Sequence, residues 1–87
     1  MDLLIKKAIG GDKEAFSKLI NEYERKLYII ARSRISNEED VKDIIQDTIM
    51  NAYINLKTLK NIDKFNSWIT TILINKCNKF YIKNNIP

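Results

Sequence analysis

Val41, Ile44, Ile45, Thr48, Ile49, Ala52 and Leu56 recur at steps of three and four residues, with single-residue steps between neighbours. That spacing collects them on one side of an α-helix and scatters them over both faces of a strand. The flanking residues agree. Ser36-Asn37-Glu38-Glu39 reads as a capping box, in which the Ser36 hydroxyl accepts a free backbone N–H and Glu39 reaches back. Glu38, Glu39, Asp40 and Asp43 crowd the first two turns, where the helix dipole favours negative charge. A helix over about residues 37–56 is therefore expected.

The other side of this helix is unusual. Asp43, Asp47, Met50 and Ile54 follow at steps of four, three and four, with Gln46 beside them. A face that is acidic at one end and apolar at the other has the composition of a docking surface. The competing reading is a solvated charged face with two stray apolar residues, which is common.

The rest of the chain obeys the same periodicity. Asp2 can cap a short helix over about 2–9 with Leu3, Leu4, Ile5, Ala8 and Ile9, and Gly10-Gly11 ends it. Asp12 can cap a long helix over about 12–34, striped by Phe16, Leu19, Ile20, Tyr23, Leu27, Ile30 and Ala31. Tyr28 and Ile29 widen that arc and predict more than one packing neighbour. Lys57–Asp63 reads as a loop, with Asn61 or Asp63 capping a last helix over about 64–83. Phe65, Trp68, Ile69, Ile72, Leu73 and Phe80 form its buried stripe, and Asn84–Pro87 reads as helix exit and linker. Two glycines and one proline are too few for a turn-rich β protein. The 87 residues thus predict one all-α domain, a bundle of three long helices plus a short N-terminal one.

Catalysis is not expected. Histidine is absent, no glycine-rich phosphate loop occurs, and Cys77 is the single cysteine. Asp43 and Asp47 lie one turn apart but lack further oxygen ligands, so they read as surface charge and not as a metal site. No cofactor is implied. A lone cysteine fits a reducing cytoplasm, and no apolar run approaches the roughly 20 residues needed to insert across a membrane.

The net charge of +4 is unevenly spread. Residues 1–36 carry +3, residues 37–56 carry −4 and residues 57–87 carry +5. An acidic middle and a basic end point to two partners of opposite kind, the second of them nucleic acid. Asn75 and Asn78 beside Lys76 and Lys79 combine amides suited to base edges with cations suited to phosphates.

Several of these residues together resemble a known family. Asp43-Ile44-Ile45-Gln46-Asp47-Thr48, Ala52-Tyr53, Phe65-Asn66-Ser67-Trp68-Ile69 and Asn75 are similar to region 2 of bacterial RNA polymerase sigma factors. The extracytoplasmic-function (ECF) class of the sigma-70 family fits best, and Gly11–Tyr23 resembles its opening. The resemblance implies that the third helix binds the clamp coiled coil of the polymerase β′ subunit through Asp43, Gln46, Asp47, Met50 and Ile54. It implies that the loop and fourth helix recognise the −10 promoter element on the non-template strand. Leu59, Lys60 and Asn61 would form a pocket for a flipped base, and Asn75, Lys76 and Lys79 would hold the strand. An anti-sigma factor is a further implied partner. Alternatives are a helical interaction module, bound to an anti-sigma factor or acting as a decoy, and a reader of double-stranded DNA. The sequence departs from the family at Ile49, where Phe is usual, and at Thr71 and Ile74, where Arg is frequent. The family's second helical domain, which reads the −35 element, is not among these residues.

Overall fold

The computed structural model describes residues 1–85 and is built from helices alone. Helix α1 spans Asp2–Ile9, α2 Lys13–Arg34, α3 Glu38–Asn55 and α4 Phe65–Asn85. The all-α architecture expected from the stripes is the one observed. Ile86 and Pro87, read above as the start of a linker, lie outside the described residues.

Asp2, expected as the cap of α1, is instead its first residue, and Met1 at the cap position makes no side-chain hydrogen bond. The next boundaries have local causes. Gly11 takes a positive φ of 104°, which a side chain would strain, and this turns the chain out of α1. Asp12 then caps α2, its Oδ1 accepting from the Ala15 N–H at 3.0 Å. The start of α3 corrects the sequence reading. Asn37, not Ser36, is the cap: its Oδ1 accepts from the N–H groups of Glu39 at 2.9 Å and Asp40 at 3.2 Å. Ser36 contributes its carbonyl instead, which accepts from the Arg32 guanidinium. Asn37→Ala should therefore cost about 1 kcal/mol in a urea melt. Ser36→Ala should change stability by less than about 0.5 kcal/mol, as a surface substitution does.

The expected loop after α3 is more ordered than a plain connector. Single 3-10 turns at Leu56–Thr58 and Ile62–Lys64 bracket Leu59, Lys60 and Asn61. Asn61 Oδ1 accepts from the Asp63 N–H at 2.9 Å, so Asn61 caps the 3-10 turn that leads into α4 and not α4 itself.

The apolar stripes meet along one core. α2 packs against α1, α3 and α4, and α3 pairs with α4. Leu19, Leu27, Ala31, Val41, Thr48, Ala52, Ile69, Leu73 and Cys77 have no exposed surface. Thr48 is tolerated there because its hydroxyl donates to the Ile44 carbonyl at 2.8 Å. Cys77, read as a core-edge residue, is fully buried; burial pushes its thiol pKa up, and the Arg34 charge offsets part of that. Phe65 anchors the near end of α4, with the Tyr23 ring edge-on at 5.1 Å and the Trp68 ring tilted at 5.9 Å.

Tyr28 and Ile29 do not extend the buried arc. Both are exposed, Ile29 by 57%. Tyr28 instead uses its hydroxyl, which donates to Glu38 Oε1 at 2.5 Å. Arg32 Nε lies 3.4 Å from the other Glu38 oxygen, so α2 grips the first residue of α3. The hydrogen bond to Glu38 is also the main reason the Tyr28 hydroxyl pKa is raised.

Candidate functional site

Burial of the α3 stripe against α2 and α4 turns the remaining side of α3 to solvent. Asp43, Gln46 and Asp47 are exposed there. Met50 is 62% exposed and Ile54 71%, so the two apolar residues singled out from spacing are uncovered in the bundle. Tyr53, at 46% exposure, continues the patch and rests edge-on against Phe16 with ring centroids 5.0 Å apart. A groove of about 460 Å³ runs beside it, lined by Phe16, Ile49, Met50 and Tyr53 with Lys13, Ser17 and Gln46 at the edges. Tyr53 was not singled out from the spacing, although it lies three residues from Met50 and so shares its side of the helix.

The aspartates face something the sequence reading kept separate. Asp40, Asp43 and Asp47 of α3 and Lys76, Lys79 and Lys83 of α4 line opposite sides of one groove of about 340 Å³. Ile44 and Phe80 form the apolar part of its lining. Among the described residues no lysine nitrogen in this groove comes within 4 Å of an aspartate oxygen. The three negative and three positive charges therefore act on each other through solvent, where screening keeps each interaction modest. Three acidic residues of the middle segment and three lysines of the last segment are thus two sides of a single α3–α4 seam.

The loop and α4 residues sort clearly. Leu59 is 8% exposed and packs into the core, so its side chain holds the loop down. This removes Leu59 from the solvent-facing set. Lys60 and Asn61 remain exposed on the same loop. Further along α4, Asn75 and Lys79 are exposed and Lys76 is half-buried. These three are brought together in a cleft of about 160 Å³ with Ile72 and with Asn51 of α3. Asn75 lies ten residues beyond Phe65, so the cleft sits about 15 Å along the helix axis from the loop. Amides, ammonium groups and an apolar wall in one cleft match the groups that hold a single-stranded nucleotide.

Residues 19–85 match the family model for sigma-70 region 2. The chain belongs to this family. Curated relatives of the region 2 chain include the ECF RNA polymerase sigma factor SigW of Bacillus subtilis. It is 30% identical over 79 residues, which are 86% of this chain and 42% of that protein. The RNA polymerase sigma factor NccH of Alcaligenes xylosoxydans xylosoxydans is 36% identical over 75 residues, 86% of this chain and 40% of that protein. The chain thus spans about two fifths of the length of these relatives. A solved neighbour is an engineered region 2 of sigmaE, determined by NMR in complex with GTAAAA. Its TM-score is 0.84 at 25% identity, covering 94% of this chain and 85% of that one. Region 2 belongs to non-enzymatic transcription initiation factors.

Within region 2, the departures of this chain have visible consequences. Ile49 lines the apolar groove beside Phe16 and Met50. Thr71 is exposed and donates to the Ser67 carbonyl at 2.7 Å, so it closes on its own helix. Ile74 is half-buried. Between Phe65 and Asn84 the cations of α4 are Lys76, Lys79 and Lys83, all on the α3 side. Among the described residues no helix is long and apolar enough to cross a membrane.

Proposed function

We propose that this region 2 domain docks on RNA polymerase core and recognises the −10 promoter element as a single strand during initiation. Its docking face is the exposed side of α3, with Asp43, Gln46 and Asp47 meeting the basic clamp coiled coil of β′. Met50 and Ile54 supply the apolar contacts. Lys60 and Asn61 on the loop receive a flipped base of the non-template strand. Extrusion of a base costs a few kcal/mol, which bound contacts must offset. Asn75, Lys76 and Lys79 hold the strand further along α4.

The observation that carries this reading is the likeness to the sigmaE region 2 solved with GTAAAA, which spans nearly the whole chain. The exposed Met50 and Ile54 support the docking half, because two such residues one turn apart on an acidic helix call for a partner.

Two measurements test the two halves. The chain should co-elute with polymerase core in gel filtration; failure to do so removes the docking half. It should also bind a fluorescent single-stranded oligonucleotide carrying GTAAAA with strong salt dependence. About three phosphate contacts predict a slope near −2 in log K against log salt. Lys79→Ala should weaken all sequences alike and flatten the slope by about 0.7, as loss of one phosphate contact does. A slope unchanged by Lys79→Ala would take that lysine out of the strand path. A chain that binds core but no nucleic acid of either form would instead be an interaction module.

A further inference from the structure

The cleft between α3 and α4 contains a residue that neither half of this reading uses. Asn51 is half-buried on α3 and shares the cleft with Asn75, Lys76, Lys79 and Ile72. We infer that Asn51 is a base-reading residue, donating to the edge of one unpaired purine held between α3 and α4. This rests on the single-strand reading above and assigns it a second reading site, separate from the loop.

The geometry around Asn51 prepares it for the task. Asn55, one turn on, donates through Nδ2 to the Asn51 backbone carbonyl at 3.0 Å and to Asn51 Oδ1 at 3.1 Å. The Asn51 amide is thereby oriented with its oxygen engaged and its Nδ2 hydrogens free to donate. Any base offers an acceptor to such a donor; in a mostly purine strand such as the GTAAAA held by the sigmaE region 2 neighbour, the acceptor on the open edge is N7. Asn75, exposed across the cleft, can pair with the neighbouring group on the same edge. Ile72 supplies an apolar wall for the base, and Lys76 and Lys79 supply the charge for the adjoining phosphates. One cleft therefore holds complements for the edge and face of one base and for its phosphate.

The position of the cleft predicts where in the strand the base lies. It sits about 15 Å along α4 from the loop. With bases spaced about 3.4 Å apart when stacked, and more when splayed, that corresponds to roughly two to four nucleotides. Asn51 and Asn61 should therefore read different positions of the same strand.

The test uses the intact chain and a panel of single-stranded oligonucleotides varied one base at a time around GTAAAA, followed by fluorescence anisotropy. At one position, roughly two to four nucleotides from the one affected by Asn61→Ala, the wild type should prefer a purine. Asn51→Ala should lower that preference by about 3- to 10-fold, the worth of one hydrogen bond, and leave discrimination elsewhere intact. Replacing the purine there by its 7-deaza analogue should cost the wild type a similar factor and cost Asn51→Ala nothing further, since both changes remove one contact. Asn55→Ala should produce a smaller loss at the same position, because Asn55 positions Asn51 without touching the base. Alanine favours helix at both sites, so urea melts should show the fold retained. Intact binding with unchanged discrimination, or a uniform loss across the panel, overturns the role of Asn51 alone. If the wild-type chain binds no single strand at all, the single-strand reading fails and this inference fails with it.

Discussion

Phe65→Ala will destabilise the domain by about 3–5 kcal/mol, the usual cost of emptying a buried aromatic site. Phe65 is 1% exposed and stands where the last 3-10 turn enters α4. Its ring meets Tyr23 of α2 and Trp68 of α4, so its removal loosens α4 from α2 and leaves a cavity that helices of fixed length cannot close. A domain of this size has on the order of 10 kcal/mol of stability, so a large share would be lost. Trp68→Ala should cost less, because Trp68 is only half-buried and keeps one side in solvent. A urea melt that ranks Trp68→Ala above Phe65→Ala would mean the core is centred elsewhere.

Reversing both charges, Asp43→Lys with Asp47→Lys, should weaken binding to the β′ clamp coiled coil by at least roughly 2 kcal/mol, about 30-fold, while helical content stays unchanged. Both residues are exposed and make no hydrogen bond among the described residues, so the fold does not depend on them. The α3–α4 groove adds a second expectation of opposite sign. The same aspartates face Lys76, Lys79 and Lys83, and reversal replaces a partial counter-charge by more positive charge. Oligonucleotide binding should therefore tighten at low salt, and the gain should fade as salt screens it. Equal weakening of both activities would point to damage to the fold.

The fold was legible because its information is local. Stripes at helical spacing marked α2, α3 and α4, and Asp12 and Gly11 act where their chemistry predicts. The cap of α3 was misplaced by one residue because Ser36 and Asn37 are both good caps and sequence alone does not say which backbone torsion is extended. Here Asn37 is extended and its Oδ1 accepts from two of the free N–H groups, those of Glu39 and Asp40. Tyr28 was misjudged because periodicity counts an aromatic as apolar, whereas its hydroxyl has a partner ten residues on in Glu38. Leu59 was placed in a base pocket by resemblance, but a leucine in a loop between core-anchored turns lowers free energy by turning inward.

The candidate site was legible only in part, and the reason is tertiary. One helix face can be read from one helix. The α3–α4 groove needs the pairing of two helices, which no period in either reveals. From sequence Asp40 reads only as helix-start charge and not as a groove residue beside Asp43 and Asp47, and nothing sets Asn51 opposite Asn75. A polar residue half-buried between the stripe and the outer face, with an amide partner four residues on, is the signal that could have drawn attention to Asn51.

The proposed function requires this domain to bind one strand in preference to the duplex. Competition anisotropy tests it most directly: one labelled single strand carrying GTAAAA is displaced by unlabelled non-template strand, by its complement or by the annealed duplex. The non-template strand should displace the label at the lowest concentration, and the duplex should be the weaker competitor. Asn61→Ala should remove the advantage of one base without altering the rest. Tighter competition by duplex, with no base preference lost at the loop, would contradict it and leave a reader of double-stranded DNA in its place.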